Sequence, residues 1–159
     1  MTWNAPASVS LTNGNVRMES LPYIDEHALR IDKPAELVWT ALCTVLRRNG
    51  GSSAGLARVL GCDPAEGTVD FAGQPGDAVP GFRVAVAEPG RRLVLRGRHR
   101  FADYALTFVF DGKYLRAQTH AAFPHLRGRL YRAAVIGTGC HRLATRHLLH
   151  QVARAAPAG

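Results

Sequence analysis

The stretch that decides the fold is RRLVLRGRHRFADYALTFVF, which spans residues 91–110. From residue 92 onward two sets of positions alternate. The inner set comprises Leu93, Leu95, Gly97, His99 and Phe101, and the outer set comprises Arg92, Val94, Arg96, Arg98 and Arg100. Because successive side chains of a β-strand point to opposite faces of its sheet, this period predicts a strand with one apolar and one basic face. A solvated outer face accounts for the arginines without any partner.

The same two-residue period recurs through the middle of the chain. It predicts five strands, at about 67–72, 81–88, 91–101, 103–111 and 114–123. Short Gly, Pro, Asp or Ala-Asp breaks separate them, and Asp-Gly-Lys at 111–113 is the clearest hairpin turn. Since parallel neighbours need long crossovers, these short connections predict an antiparallel meander.

The segment before the meander predicts a strand followed by two short helices. YIDEHALRI, from Tyr23, alternates as a strand. DKPAELVWTALCTVLRRNGG predicts a helix with Asp32 as N-cap and Pro34 near its first turn. SSAGLARVLG predicts a second short helix that begins at Ser52 or Ser53 and ends at Gly61. Before them, VSLTNGNVRM indicates a small hairpin within an N-terminal segment, residues 1–22.

The C-terminal part, HLRGRLYRAAVIGTGCHRLATRHLLHQVARAA, predicts one long helix that begins between Pro124 and Leu126. Gly137 and Gly139 lie inside it, and each costs about 1 kcal/mol relative to alanine in a helix interior. They therefore serve close packing or cavity volume, or they mark a break in the helix.

This order of elements resembles the helix-grip fold of the START-like (SRPBCC) superfamily, which includes polyketide cyclase/dehydrase-like proteins, lipid-transfer domains and plant pathogenesis-related allergens. The resemblance covers about residues 23–154 and rests on HALRIDKPAELVWTAL, on GFRVAVAEPGRRLVLRGRHRFADYALTFVF and on LRAQTHAAFPHLRGRLYRAAVIGTGCHRLATRHLL. It implies a single α+β domain, residues 23–156, in which a curved antiparallel sheet wraps a long C-terminal helix. It also implies an apolar ligand cavity between sheet and helix.

Strand parity and the implied cavity together nominate ligand-binding residues. These are His27, Phe82, Val84, Leu95, His99, Tyr104, Leu106, Phe108, Thr119, Ile136 and Cys140. The polar members are alternatively core residues with satisfied hydrogen bonds. The short Ala-Asp connection predicts that His99 and Tyr104 meet near one end of the cavity.

Two functions are compatible with such a cavity. The first is a binding or carrier protein for an apolar or amphipathic molecule such as a lipid, polyketide or isoprenoid, without a cofactor. The second is a cyclase or dehydratase in which His99 or Tyr104 acts as general acid or base. The sequence indicates neither a pair of inward carboxylates nor a His–Asp arrangement, which favours binding.

The charge is distributed unevenly along the chain. Residues 1–88 carry seven Arg and Lys against ten Asp and Glu, whereas residues 89–159 carry thirteen against two. A basic C-terminal half indicates weak association with anionic membranes, although the two halves alternatively compensate each other. The strand arginines lack interleaved aromatic residues on their face, so no specific nucleic-acid partner is expected.

The remaining motifs carry little chemistry. GSSAG at 51–55 formally fits a nucleophile elbow, but a helix rather than a strand precedes Ser53. His147 and His150 have helical spacing without an evident third ligand, so no metal is expected. Three cysteines at unrelated spacings predict reduced thiols. The absence of a signal-like N-terminus predicts a cytoplasmic protein. The sequence does not indicate the oligomeric state.

Overall fold

The computed structural model describes residues 21–157, so the hairpin predicted at VSLTNGNVRM lies outside the described residues. The strands are β1 (Tyr23–Arg30), β2 (Ala78–Val79), β3 (Phe82–Glu88), β4 (Arg92–His99), β5 (Ala102–Asp111) and β6 (Tyr114–Ala122). The helices are α1 (Ala35–Leu60), α2 (His125–Arg132) and α3 (Cys140–Ala155), with a π-helical turn at Ala133–Gly137 between α2 and α3.

The six strands form one antiparallel sheet in the order β1-β6-β5-β4-β3-β2. Strands β3 to β6 follow one another as hairpins, and the Asp111–Tyr114 pair confirms the turn predicted at Asp-Gly-Lys. Irregularities between Tyr23 and Asp25 and between Val84 and Val86 bend the strands at which they occur. The predicted α+β class with a curved antiparallel sheet and a C-terminal helix is confirmed.

The core lies between the inner face of the sheet and the two long helices. Leu93, Leu95 and Phe108 are fully buried on the sheet, and they pack with buried side chains of α1 and α3 such as Leu42 and Val152. The strand parity predicted for residues 92–101 is therefore right for the leucines. Val94 is buried as well, although it lies on the outer face.

The prediction of two short helices after the first strand is wrong, because α1 is one helix of 26 residues. Gly50 and Gly51, the last two residues of the segment predicted as the first helix, lie inside α1. A Cβ on Gly50 would come within 3.0 Å of Pro80 Cδ and 3.3 Å of Val79 Cβ, so this glycine permits close contact between α1 and β2. Asp32 does not cap the helix; its carboxylate pairs with Arg30 and Lys113.

The strand predicted at about 67–72 is also absent from the described residues, where the chain forms a loop that leads into the two-residue strand β2. Gly73 and Gly76, which follow this segment, have φ values of +76° and +93°, so the chain turns there. The Asp77 carboxylate accepts hydrogen bonds from the backbone N–H groups of Ala72 and Gln74. A local turn therefore replaces the ladder that the residue pattern suggests.

The C-terminal helix is interrupted rather than continuous. Gly139 has φ +78° and caps the start of α3, and a Cβ at Gly137 or Gly139 would meet nothing within 4 Å. The two glycines thus mark a break and do not serve close packing. Beyond the break, Asn49 Nδ2 donates to Gln151 Oε1 at 2.7 Å and ties α3 to α1. Among the described residues, no helix is both long and apolar enough to cross a bilayer.

Candidate functional site

A cavity of about 250 Å³ lies between the inner face of the sheet, the second half of α1 and the π-helical turn. Its sheet wall includes Phe82, Tyr104, Leu106, Thr119 and Ala121. Its helical wall includes Leu56, Leu60, Val135, Ile136 and His141. Among residues 21–157, no Lys, Arg, Asp or Glu lines the cavity. The wall is therefore apolar with a few neutral polar groups, which is the usual composition of a small-molecule site.

Aromatic rings cluster at the end of the cavity beside the β4–β5 turn. The ring centroid of His99 lies 5.3 Å from that of Tyr104 and 4.8 Å from that of Tyr131. Phe101 stacks on Tyr131 at 5.4 Å, and Phe82 meets Tyr104 edge-on at 5.0 Å. The contact predicted between His99 and Tyr104 is confirmed, whereas Tyr131 is a neighbour that strand parity could not supply because it lies on α2.

The Tyr104 hydroxyl is held by a backbone carbonyl. It donates a hydrogen bond to Gly81 O at 2.7 Å, and Cys62 Sγ lies 3.8 Å from the Tyr104 hydroxyl oxygen. Burial raises the pKa of the Tyr104 phenol, and the neighbouring Cys62 raises it further. The phenol is thus protonated at neutral pH, and its hydrogen is already engaged.

His99 has a defined hydrogen-bonding state. The backbone N–H of Phe101 donates to His99 Nδ1 at 3.1 Å, and burial lowers the pKa of the imidazole despite the opposing charge of Asp103. A neutral imidazole whose Nδ1 accepts a hydrogen bond carries its proton on Nε2. His99 therefore offers Nε2–H as a donor, while its lone pair is used by the backbone.

A second polar group lies on the β1 side of the cavity. Thr119 Oγ1 is 3.0 Å from His141 Nε2, and both residues line the cavity. Behind them, Asp25 Oδ1 lies 3.4 Å from His141 Nε2, and Asp25 Oδ2 lies 3.3 Å from His27 Nε2. Asp25 Oδ1 is buried, and it has no hydrogen-bond partner among the described residues.

This group corrects the conclusion that the chain has no His–Asp arrangement. Asp25 has the same strand parity as His27, so the alternation of β1 contained a signal for an inward carboxylate. The sequence contained no signal for His141, because its place opposite Thr119 depends on the break before α3.

The cavity brings together six of the residues nominated from the sequence: Phe82, His99, Tyr104, Leu106, Thr119 and Ile136. The other five lie elsewhere. Val84, Leu95 and Phe108 are buried in the closed core, where helix side chains already cover them. His27 contacts Asp25 outside the cavity wall, and Cys140 is exposed at the start of α3. Parity identifies the inner face of a strand but not which part of that face a helix fills.

Apart from Ile136, sequence reasoning missed the helical wall of the site. Leu56 and Leu60 belong to the segment predicted as a separate short helix, and Cys62, which also lines the cavity, follows that segment. Leu56 lines the cavity and is 63% exposed, so the cavity reaches the surface beside the second half of α1. No three His, Cys, Asp or Glu side chains within residues 21–157 are grouped so that they could hold a metal ion.

The likeness to the solved structure of protein CV1439 supports the architecture. Protein CV1439 from Chromobacterium violaceum matches with a TM-score of 0.52 and 17% identity, over 87% of this chain and 100% of that protein. CalU16 from Micromonospora echinospora matches with a TM-score of 0.47 and 17% identity, over 87% of this chain and 84% of that protein. At these identities the likeness concerns the fold alone. The chain matches no protein-family model and no curated protein sequence.

Proposed function

We propose that this chain binds or carries a small, uncharged and mostly apolar molecule in the cavity between sheet and helices. The observation that carries the proposal is the wall itself, which among the described residues contains no formally charged Lys, Arg, Asp or Glu. An ionised ligand group would be desolvated there without a charged partner, which is costly. Ligand sites typically combine such an apolar wall with few polar groups.

The size of the cavity narrows the ligand class. A dry cavity of about 150 Å³ accommodates benzene, and this cavity measures about 250 Å³. A body of one or two rings, or a short isoprenoid- or polyketide-like segment, is of suitable size. A lipid with two acyl chains is too large unless the cavity expands.

The hydrogen bonds and protonation states of His99 and Tyr104 favour binding over catalysis by these two residues. A general base needs an available lone pair, whereas the Nδ1 lone pair of His99 already accepts a hydrogen bond from the backbone N–H of Phe101. A general acid needs a transferable proton, whereas the Tyr104 hydroxyl is bound to Gly81 and has a raised pKa. A cyclase or dehydratase acting through His99 or Tyr104 is the second candidate, favoured only by the proximity of the two rings.

We further propose that the chain is a START-like, helix-grip protein. The order of elements, the curved antiparallel sheet, the C-terminal helix and the cavity beneath it support this assignment. A TM-score of 0.52 over 87% of the chain is compatible with it.

The test is a fluorescence titration with N-phenyl-1-naphthylamine, an uncharged dye that brightens in apolar surroundings. We expect about one equivalent to bind with roughly micromolar affinity. Ala121→Leu, which adds bulk inside the cavity, should weaken binding. Ala122→Leu, on the opposite face of β6, is the matched control and should not. Absence of dye binding, or equal effects of the two substitutions, would contradict the proposal.

Thiol protection locates the bound dye independently. Cys62 lines the cavity and Cys140 is exposed, whereas burial raises the pKa of the Cys43 thiol to about 11. The dye should slow alkylation of Cys62 without changing that of Cys140, and Cys43 should react slowly in either case. Unchanged Cys62 alkylation at saturating dye would place the dye elsewhere. The second candidate, a cyclase or dehydratase, would be favoured if the protein converts a polyketide-like substrate and the His99→Phe variant loses this conversion but still binds the substrate.

We also propose a weak, salt-sensitive association with anionic bilayers through α2. Leu126 and Leu130 lie one helical turn apart and are 69% and 66% exposed. Arg127, Arg129 and Arg132 are exposed on the same helix, and no Asp or Glu occurs in the sequence after Asp111. Apolar side chains flanked by arginines suit the surface of an anionic membrane.

A further inference from the structure

Two polar groups of the cavity, His99 and the Thr119–His141 pair, lie on opposite sides of its apolar floor. His99 pairs with Ala102 and Thr119 pairs with Leu106, so the two residues are separated by four residues along the sheet and by the width of strand β5. For a flat sheet this spacing puts their Cα atoms roughly 17 Å apart, and curvature brings the side chains closer together. A ligand that contacts both groups therefore has to be elongated, with one polar atom at each end.

The Thr119–His141 pair contains one polar hydrogen more than it uses. If Thr119 donates to His141 Nε2, the imidazole proton remains on Nδ1; if Nε2–H donates to Thr119, the threonine hydroxyl hydrogen remains. Asp25 decides between the two arrangements. Its buried Oδ1 lies 3.4 Å from His141 Nε2, and a carboxylate at that distance favours a proton on Nε2 over a lone pair. The Thr119 hydroxyl is thereby left as a donor in the cavity wall.

We propose that Thr119, positioned by His141 and Asp25, donates a hydrogen bond to the ligand from the side of the cavity opposite the His99 Nε2–H donor. Each side of the cavity then presents a hydrogen-bond donor. The complementary ligand is a neutral molecule with an acceptor oxygen, such as a ketone, at both ends of an apolar body. This inference rests on the proposed binding function and specifies its ligand class.

Three matched competitors test it by displacement of N-phenyl-1-naphthylamine. 1,4-Diacetylbenzene has two acceptor oxygens, 4-isopropylacetophenone has one and 1,4-diisopropylbenzene has none, with the same number of non-hydrogen atoms. Thr119→Val should weaken binding of the diketone by about two- to tenfold and leave the affinity for the hydrocarbon unchanged. The monoketone binds in either orientation, so it should lose affinity only in the double variant Thr119→Val/His99→Phe.

Two further variants separate hydrogen bonding from packing. Thr119→Ser keeps the hydroxyl and should retain the preference for the diketone. Thr107→Val makes the same change on the other face of the sheet and should alter none of the three affinities. Asp25→Asn should reduce the preference for the diketone over the hydrocarbon, because His141 then has no carboxylate to hold its proton on Nε2.

The outcomes distinguish this inference from the proposed function. Dye and hydrocarbon binding without sensitivity of the diketone to Thr119→Val would overturn the inference alone. Failure of the dye to bind the wild-type protein would overturn both. Imidazole ¹⁵N shifts of the wild type give a measurement that needs no variant: His141 should be the Nε2–H tautomer, and an Nδ1–H tautomer would remove Thr119 as the donor.

Discussion

The hydroxyl of Tyr104 reaches the carbonyl of Gly81, 2.7 Å away, across a residue that has no side chain. That residue is Gly97, which pairs with Tyr104 in the sheet. A Cβ on Gly97 would lie 1.9 Å from Gly81 O and 2.7 Å from Tyr104 Cε2. The glycine in the arginine-rich strand therefore permits the aromatic end of the cavity to form.

Gly97→Ala should destabilise the fold by about 1 to 3 kcal/mol, because the backbone carbonyl or the tyrosine ring must move. Thermal unfolding measures the loss, and dye affinity should fall with it. Gly51→Ala is the control: a Cβ there meets nothing within 4 Å, and alanine in the interior of α1 should stabilise by up to about 1 kcal/mol. Equal effects of the two substitutions would show that Gly97 is not under steric constraint.

Leu95 and Leu106 should separate the core from the site. Leu95 is fully buried in the closed core, so Leu95→Ala should cost about 2 to 5 kcal/mol while dye affinity of the folded protein stays unchanged. Leu106 lines the cavity, and Leu106→Ala should change dye affinity with a smaller loss of stability. Denaturant unfolding and dye titration on the same samples measure both quantities. A weakened dye complex in Leu95→Ala would extend the site into the core.

His99 should make stability depend on pH. Burial lowers its pKa in the folded state below the usual 6.5, so the unfolded chain takes up a proton that the folded chain resists. The stability contribution is present above about pH 6.5 and is lost as the pH falls through the folded-state pKa. His99→Phe should flatten this part of the stability profile, whereas His150→Phe, at an exposed position, should not. Parallel profiles of stability against pH for the wild type and His99→Phe would show that His99 does not cause this pH dependence.

Vesicle binding should depend on both charge and the exposed leucines of α2. Replacing Leu126 and Leu130 with serine should weaken binding to phosphatidylserine-containing vesicles by about tenfold or more, since burying a leucine contributes roughly 1.5 to 3 kcal/mol. Added salt should weaken binding of the wild type. Tyr114→Ser, at the far end of β6, serves as the control. Sedimentation with vesicles gives the affinities, and binding to neutral vesicles alone would contradict the electrostatic part.

The inner face of the sheet was predictable from the sequence because side-chain direction in a strand depends only on local parity. Leu93 and Leu95 are inward, and His99 meets Tyr104 as the short Ala-Asp connection implied. Parity could not predict that Leu95 lies beneath a helix whereas Leu106 faces a cavity. That difference depends on where α1 and the π-helical turn cross the sheet.

By itself, the sequence determined the α+β class, the antiparallel hairpins and the inward positions of the strands, since each follows from residue period and turn chemistry over a few neighbours. Only the tertiary structure decided the continuity of α1 through Gly50, the break at Gly139 and the meeting of Asp25, Thr119 and His141. The physical reason is that glycine is compatible with both a helix interior and a helix end, so the surroundings decide which one forms. Gly50 packs against Pro80 inside a continuous helix, whereas Gly139 faces open space at a helix end. Side chains far apart in the chain become neighbours only after those choices are made.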